Sequence, residues 1–508
     1  MPVIIRTVRL CAALAAAAPL CRTAAEPGPP PAGRYQGRNL LMISVTNIGA
    51  EHMSLYGYKR KTTPNLDAWA KSALVFEDAF TQASWTLPVA TTLFTSLYPY
   101  AHRIMGRERN MLLSKNSVTL PELLKTSNYK TAAFTGGLDY MKSLGHMRGF
   151  TTASDNPPFT GFPVTIPQAS AWLAKNRGGK FFLFVHGYDA HPPFIPEKRS
   201  EGVFSGTEGR HVTVDPAFTY RGYQETAGDE VAAYYHIPRK NPYEGNEKTP
   251  STEKKTVLTR DDMDYLRDLY DEKVLDADRA AGAFLASLDQ ELLDRTIIVI
   301  FSEHGEMFAR HGRFGRAGAI RGTLYDDVAH VPLLIKLPGA RGERVRGFAQ
   351  LVDIMPTLLE LLELPVPRRA QGVSLLPLIE EGRPVNDFVY AGTRYNSYLP
   401  ETYGPYGFAS INESIRGEKW KLIHEITFPG PKDGPAARQA RETFELYDLK
   451  EDPGEVHDLA AGHPDIVQEL KRKLRQWAVS SRRFMNAEPA SRKVSEEILE
   501  TAKQHGYW

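Results

Sequence analysis

Residues 39–58 read NLLMISVTNIGAEHMSLYGY. Leu40, Leu41, Met42, Ile43 and Val45 form a short apolar run, after which the chain turns polar at Thr46 and Asn47 and enters a glycine-containing loop. An apolar run of this length that stops abruptly predicts a strand buried on both faces, as in a parallel sheet. In open α/β sheets ligands bind at the carboxyl ends of the strands. Thr46 and Asn47 are therefore the first candidates for a functional site.

Working outward, similar runs at Thr131–Phe134, Phe181–Val185, Thr296–Phe301 and Val331–Leu337 predict further strands, most of them apolar on both faces. Between them, DDMDYLRDLYDEKVLDADRAAGAFLASLDQELL from Asp261 carries Leu266, Tyr270, Val274, Ala277, Ala281, Phe284, Leu288 and Leu292 at three-to-four spacing. That period defines one long helix with a single buried stripe, opened by a capping box at Thr259 and Asp262. The fold class expected is α/β, a largely parallel central sheet with helices on both faces, occupying residues 38–384. Within it, 200–256 is polar and rich in Tyr, Gly, Pro and Glu, a long insertion of the kind that is functional or mobile. From about Val385 the pattern changes to short β-like runs such as SIRGEKWKLIHEI and FELYDL, with a helix from Pro464 to Trp477. These predict a small C-terminal antiparallel α+β subdomain over 385–480, with 481–508 as a tail.

Residues 1–25 place Arg6 and Arg9 ahead of an Ala/Leu run that ends in small residues. This layout predicts a secretory signal peptide cleaved after Ala25, and an exported protein, periplasmic or secreted, with no transmembrane span in the mature chain. EPGPPPAGRYQG, 26–37, reads as a Pro/Gly linker. Cleavage would take the formal charge from +2 to −1, because Arg6, Arg9 and Arg22 leave with no acid. A nearly neutral chain offers no electrostatic case for binding nucleic acid. Cys11 and Cys21 also leave, so the exported chain has neither disulfide nor thiolate.

Five segments, in order from about Asn39 to Ala460, resemble the sulfatase family of the alkaline-phosphatase-like superfamily. They are MSLYGYKRKTTPNLDAWAKSALVFEDAFTQASWTLPVATTLFTSLYP, FFLFVHGYDAHPPF, TIIVIFSEHGEMFARHGRFG with RGTLYDDVAHVPLLIKLPG, VDIMPTLLELLELPVPRRAQGVSLLPLI, and FELYDLKEDPGEVHDLA. The resemblance implies an alkaline-phosphatase-like sheet with a metal-assisted site at the strand carboxyl ends. It also implies displacement at the sulfur or phosphorus of a small-molecule or glycan ester.

The same resemblance assigns residues. Thr86, in TLPVATTL, stands where many sulfatases mature a Cys or Ser into formylglycine; Thr cannot supply that aldehyde, so no formylglycine is expected. Thr alkoxides serve as nucleophile in phosphatase-like relatives, and Thr86 also reads as the cap of the helix that follows. For a divalent ion (Ca, Zn or Mn), the ligand positions are Thr46, Asn47, Glu303 and His304. With the two first-strand acids replaced by neutral residues, binding is expected to be weak or absent. Arg321 stands where sulfatases often carry an active-site Lys and would clamp the anion. His191 matches the histidine on the leaving-group side, while Asp189 would orient it or cap the loop. His186 reads as a substrate-side or satisfied core histidine, and His311 as a further ligand or substrate contact. Three functions fit: a metal-assisted esterase with Thr86 as nucleophile, a catalytically impaired pseudoenzyme binding an anionic glycan or lipid headgroup, and a phosphoryl-group transferase. Convergence of Thr46, Asn47, Thr86, Glu303 and His304 on one place is the structural requirement of all three.

Overall fold

The computed structural model describes residues 35–105, 112–154, 156–157, 159–216, 224–227, 230–236, 253–308, 310–312, 314–315, 323–396, 409–428 and 440–484. The expected signal segment, Arg321 and the tail beyond 484 lie outside these residues.

Strands in chain order are β1 Asn39–Val45, β2 Leu74–Phe80, β3 Lys130–Phe134, β4 Thr152–Ala153 and β5 Phe181–Gly187. They continue with β6 Gln224–Ala227, β7 Glu230–His236, β8 Glu253–Leu258, β9 Thr296–Phe301, β10 Leu333–Lys336 and β11 Glu343–Gln350. The last four are β12 Val389–Asn396, β13 Ala409–Arg416, β14 Trp420–Phe428 and β15 Arg441–Asp448. Among the described residues the main sheet has eight strands in the order β11-β2-β10-β9-β1-β5-β3-β4. All neighbours are parallel except at β10, which runs antiparallel to β9 and β2. The expected α/β class is what is found.

The alternation of β1 explains its burial. Leu40 and Met42 face one core with Val89, Leu93, Phe94 and Leu358. Leu41, Ile43 and Val45 face the opposite core with Leu266, Tyr270 and Val274. Helices Thr86–Thr95 and Ile354–Leu361 cover the first face, and Phe162–Asn176 and Arg260–Ala286 the second. Because successive side chains of a strand point to opposite faces, a strand buried on both must be apolar throughout.

The long helix runs from Arg260 to Ala286 with the expected Thr259–Asp262 capping box. It does not continue to Leu292. The chain breaks at Ser287 and restarts as a short helix, Gln290–Leu293, whose N-cap Asp289 accepts a hydrogen bond from Leu292 N. The first part of the expected insertion is tied to this helix by its acids. Asp276 accepts from Ser200 Oγ, Glu272 from Phe204 N at 2.7 Å, and Asp262 from Thr213 N at 2.6 Å. Further on, β6, β7 and β8 form a three-stranded antiparallel sheet.

Strands β12 to β15 make an antiparallel sheet in sequence order. Helix Pro464–Arg482, five residues longer than expected, packs Val467, Leu470, Leu474 and Trp477 against Ile415, Leu422 and Leu446. Tyr98 and Tyr100 of the main unit join that cluster. Among the described residues no helix is long and apolar enough to cross a membrane.

Candidate active site

Strand order brings the site together. β1 lies between β9 and β5, with Ser44 opposite His186 on one side and Phe301 on the other. The carboxyl ends of these three strands are therefore adjacent, and the residues that follow them share one buried volume. Thr46, Asn47, Thr86, His186, Glu303 and His304 are all almost completely buried there.

Glu303 is its centre. Oε1 accepts from Ser44 Oγ at 2.6 Å and from Tyr140 OH at 2.5 Å, and Oε2 accepts from Thr46 Oγ1 at 2.7 Å. Burial pushes this carboxyl above its usual range, against the pull of the three hydroxyls. Thr46 Oγ1 also lies 2.5 Å from His186 Nε2. Gly136 N–H donates to His186 Nδ1 at 3.2 Å, and burial lowers the ring to about 3. The histidine is thus neutral, with its proton on Nε2 directed at Thr46.

Asn47 has a positive φ of 70°, a left-handed conformation that Asn tolerates better than most residues. Its Nδ2 donates to Ala190 O and to Glu306 Oε2, both at 2.9 Å. Its own carbonyl accepts from Tyr270 OH at 2.7 Å.

Thr86 is the first residue of its helix, not the cap. Trp85 holds the N-cap position in extended conformation and makes no side-chain capping bond. The Thr86 hydroxyl instead lies 3.2 Å from His304 Nε2. His304 Nδ1 lies 3.0 Å from Gly305 O. A carbonyl can only accept, so Nδ1 carries the proton and Nε2 of the neutral ring accepts from Thr86. A hydroxyl, a correctly oriented imidazole and a helix N-terminus, where an anion is favoured, are the parts of a nucleophile with a base.

The 186–191 segment divides. His191 joins the site through Tyr188, whose ring packs against both His186 and His191; its Nδ1 hydrogen-bonds Pro192 O at 2.7 Å. Asp189 turns elsewhere. Its Oδ2 accepts from Phe162 N at 2.9 Å, at the start of helix Phe162–Asn176, which is a capping contact. His311, in left-handed conformation with φ of 58°, stacks on Tyr325 at 3.6 Å and pairs with Asp327 at 3.5 Å. Asp327 also takes Arg310 at 2.9 Å, and Arg310 reaches Glu51 at 3.0 Å. His311 thus belongs to an ionic cluster beside the site rather than to the Glu303 group.

Ser44, Tyr140, Tyr188 and Glu306 were not singled out in sequence. Ser44 had a signal, a lone hydroxyl within an apolar strand. Tyr140 had none, since the Glu303 that it binds lies 163 positions away.

A divalent ion is the family's general cofactor, and the donor set here does not fit one. Both oxygens of Glu303 are occupied by hydroxyl protons, His186 turns an N–H and not a lone pair toward Thr46, and Asn47 turns its amide N–H groups toward acceptors. Hard cations need converging oxygen lone pairs. Among the described residues no three His, Cys, Asp or Glu side chains are grouped to hold a metal ion.

A doubly covered, mostly parallel sheet with a nucleophile-type hydroxyl at its carboxyl edge defines an alkaline-phosphatase-like scaffold. The Sulfatase family model matches residues 38–364, and the C-terminal model described as N-sulphoglucosamine sulphohydrolase matches 319–480. The chain belongs to the sulfatase family. It is 32% identical over 487 residues to arylsulfatase K of Gallus gallus, covering 89% of this chain and 84% of that one. A structure in complex with its substrate D-glucosamine-2-N,6-O-disulfate aligns with TM-score 0.65 at 19% identity, over 90% of this chain and all of the other. Phosphonate monoester hydrolase of Agrobacterium radiobacter aligns with TM-score 0.64 at 20% identity, over 87% of this chain and 96% of that one.

Proposed function

We propose that the protein is an exported hydrolase of a sulfuric or phosphoric ester, with Thr86 as nucleophile and His304 as its base. The observation that carries this is the 3.2 Å contact between Thr86 Oγ1 and His304 Nε2, with the ring fixed by Gly305 O. Thr86 Oγ attacks sulfur or phosphorus and its proton passes to His304 Nε2. As the ester bond breaks, protonated His191 gives its proton to the leaving oxygen. Water then attacks the Thr86 ester and gives a proton to His191, while the departing Thr86 oxygen takes back the proton from His304. Both histidines return to their starting forms. The arylsulfatase relative and the glucosamine-disulfate complex favour a sulfated aryl or glycan substrate, and the phosphonate hydrolase keeps phosphorus esters among the candidates. Arg321 is the expected anion clamp, and residues 1–25 the expected export signal.

A second reading is favoured by the three hydroxyl groups that hold Glu303: a protein that binds an anionic glycan without turnover. Both are tested by assaying the purified full-length protein on aryl sulfate, phosphate monoester and phosphodiester substrates. Thr86→Ala should lower turnover by roughly 10³-fold or more, and His304→Ala by about 10²–10⁴-fold. No turnover, together with equal binding of a sulfated glucosamine by wild type and Thr86→Ala, would establish the second reading.

A further inference from the structure

We infer that the centre of this site is built to work without a divalent cation, whose place is taken by a hydrogen-bonded set made of Ser44, Thr46, Tyr140, His186 and Glu303. The inference deepens the reading above and concerns the same site, but it stands on donor chemistry and is read without turnover.

Ser44 and Thr46 lie two residues apart at the end of β1, and so share one side of the chain. Both direct hydroxyls at Glu303. An acid at position 46 would set a second buried carboxylate against Glu303, and such a pair is tolerated only with a proton or a cation between them. Threonine removes that demand. The remaining carboxylate is satisfied by neutral donors alone, as a buried acceptor must be. His186 completes the arrangement from the other side. Gly136 N–H fixes its Nδ1 as acceptor, so its Nε2 proton fills the remaining direction at Thr46 Oγ1. Seating a cation would require turning the hydroxyl protons away from Glu303, reversing the His186 tautomer and breaking the Gly136 bond. Tyr140 is a positioning residue here: its ring packs on His186 with centroids 4.4 Å apart while its hydroxyl holds Glu303. The Thr86–His304 pair adjoins this set through the Glu303–His304 peptide and needs no metal to orient it.

The test is elemental analysis and thermal unfolding of the full-length wild type, Thr46→Asp and Glu303→Gln. Wild type should carry well under one equivalent of Ca, Mn or Zn after dialysis, and its Tm should be the same in EDTA as in millimolar Ca²⁺, Mn²⁺ or Zn²⁺. Thr46→Asp should have a lower Tm that one of these ions raises by roughly 2–5 °C. Stoichiometric metal in the wild type that Glu303→Gln removes, or a Tm lowered by chelation in the wild type but not in Glu303→Gln, overturns the inference. Metal that Glu303→Gln leaves in place lies elsewhere and upholds it. If Thr46→Asp does not fold, the wild-type and Glu303→Gln measurements still decide. Loss of the hydrolase reading would appear only in the turnover assays, so the two failures are distinct.

Discussion

Two carboxylates in this molecule meet burial in opposite ways. Glu303, at the end of β9, is held by the hydroxyls of Ser44, Thr46 and Tyr140, and burial raises its pKa. Asp326, which starts the helix Asp326–Ala329, faces the C-terminal sheet. Its Oδ1 lies 2.6 Å from Lys421 Nζ, and its Oδ2 3.0 Å from Arg416 Nε. There burial also works against the charge, but Arg416 and Lys421 overcome it and hold Asp326 well below the usual carboxylate range. Lys421 is itself buried and 2.6 Å from Glu455. The interface between the two sheets is therefore an ionic lock with its counter-charges in place. Among the described residues no cation is paired with the acid of the active centre, since His186, 3.7 Å from Glu303, is neutral. One region pairs its buried acid with cations, and the other holds its acid by hydroxyl groups.

The comparison can be broken by removing one partner at each place. Lys421→Met strands Glu455 and leaves Asp326 with Arg416 alone, and should cost about 3–5 kcal/mol of stability. Glu303→Gln keeps an acceptor for the hydroxyls and should cost less, about 1–3 kcal/mol. Equal losses in denaturant titrations would erase the distinction between the two regions.

The pH dependence sharpens it. Asp326 has a folded pKa below its unfolded value, so its stabilisation is present above about pH 4 and is lost as pH falls further. Glu303, whose folded pKa is raised, contributes with opposite sign, favouring the fold at low pH and losing that contribution as pH rises. Asp326→Asn should flatten the fall in Tm between about pH 4 and pH 2, whereas Glu303→Gln should leave it in place. A wild-type Tm that does not fall over that span would contradict the ionic lock.

The smallest effect concerns Asp189, two residues before His191 in sequence but bound to the start of the preceding helix. Asp189→Ala should cost about 1 kcal/mol, the usual loss for an N-terminal capping acceptor, with KM for any accepted ester unchanged. A KM change of tenfold or more without loss of Tm would return Asp189 to the substrate side.

Much of this was legible in the sequence because the signals are local. The both-face apolar runs marked β1, β3, β5 and β9, and the Thr259–Asp262 pair marked the start of the long helix. The end of that helix was misplaced because Asp289 begins a new turn without interrupting the apolar spacing. At the site, Thr46, Asn47, Thr86, Glu303 and His304 could be named by resemblance. Their partners could not: Tyr140 lies 163 positions from the Glu303 that it binds. Asp189 and His311 were named from the motifs that contain them, and a motif says nothing about the direction in which a loop side chain turns.

The sequence by itself determined that the chain forms a covered parallel sheet, because burial on both faces demands apolar residues at every strand position. It also determined that two neutral side chains stand at the end of the first strand. Only the tertiary structure decided what those residues do. β1 lies between β9 and β5 in space, and strand order alone brings Thr46 to Glu303 and His186. The partners of a buried polar group are set by which strands are neighbours, and pairing between segments 140 to 259 residues apart leaves no local trace.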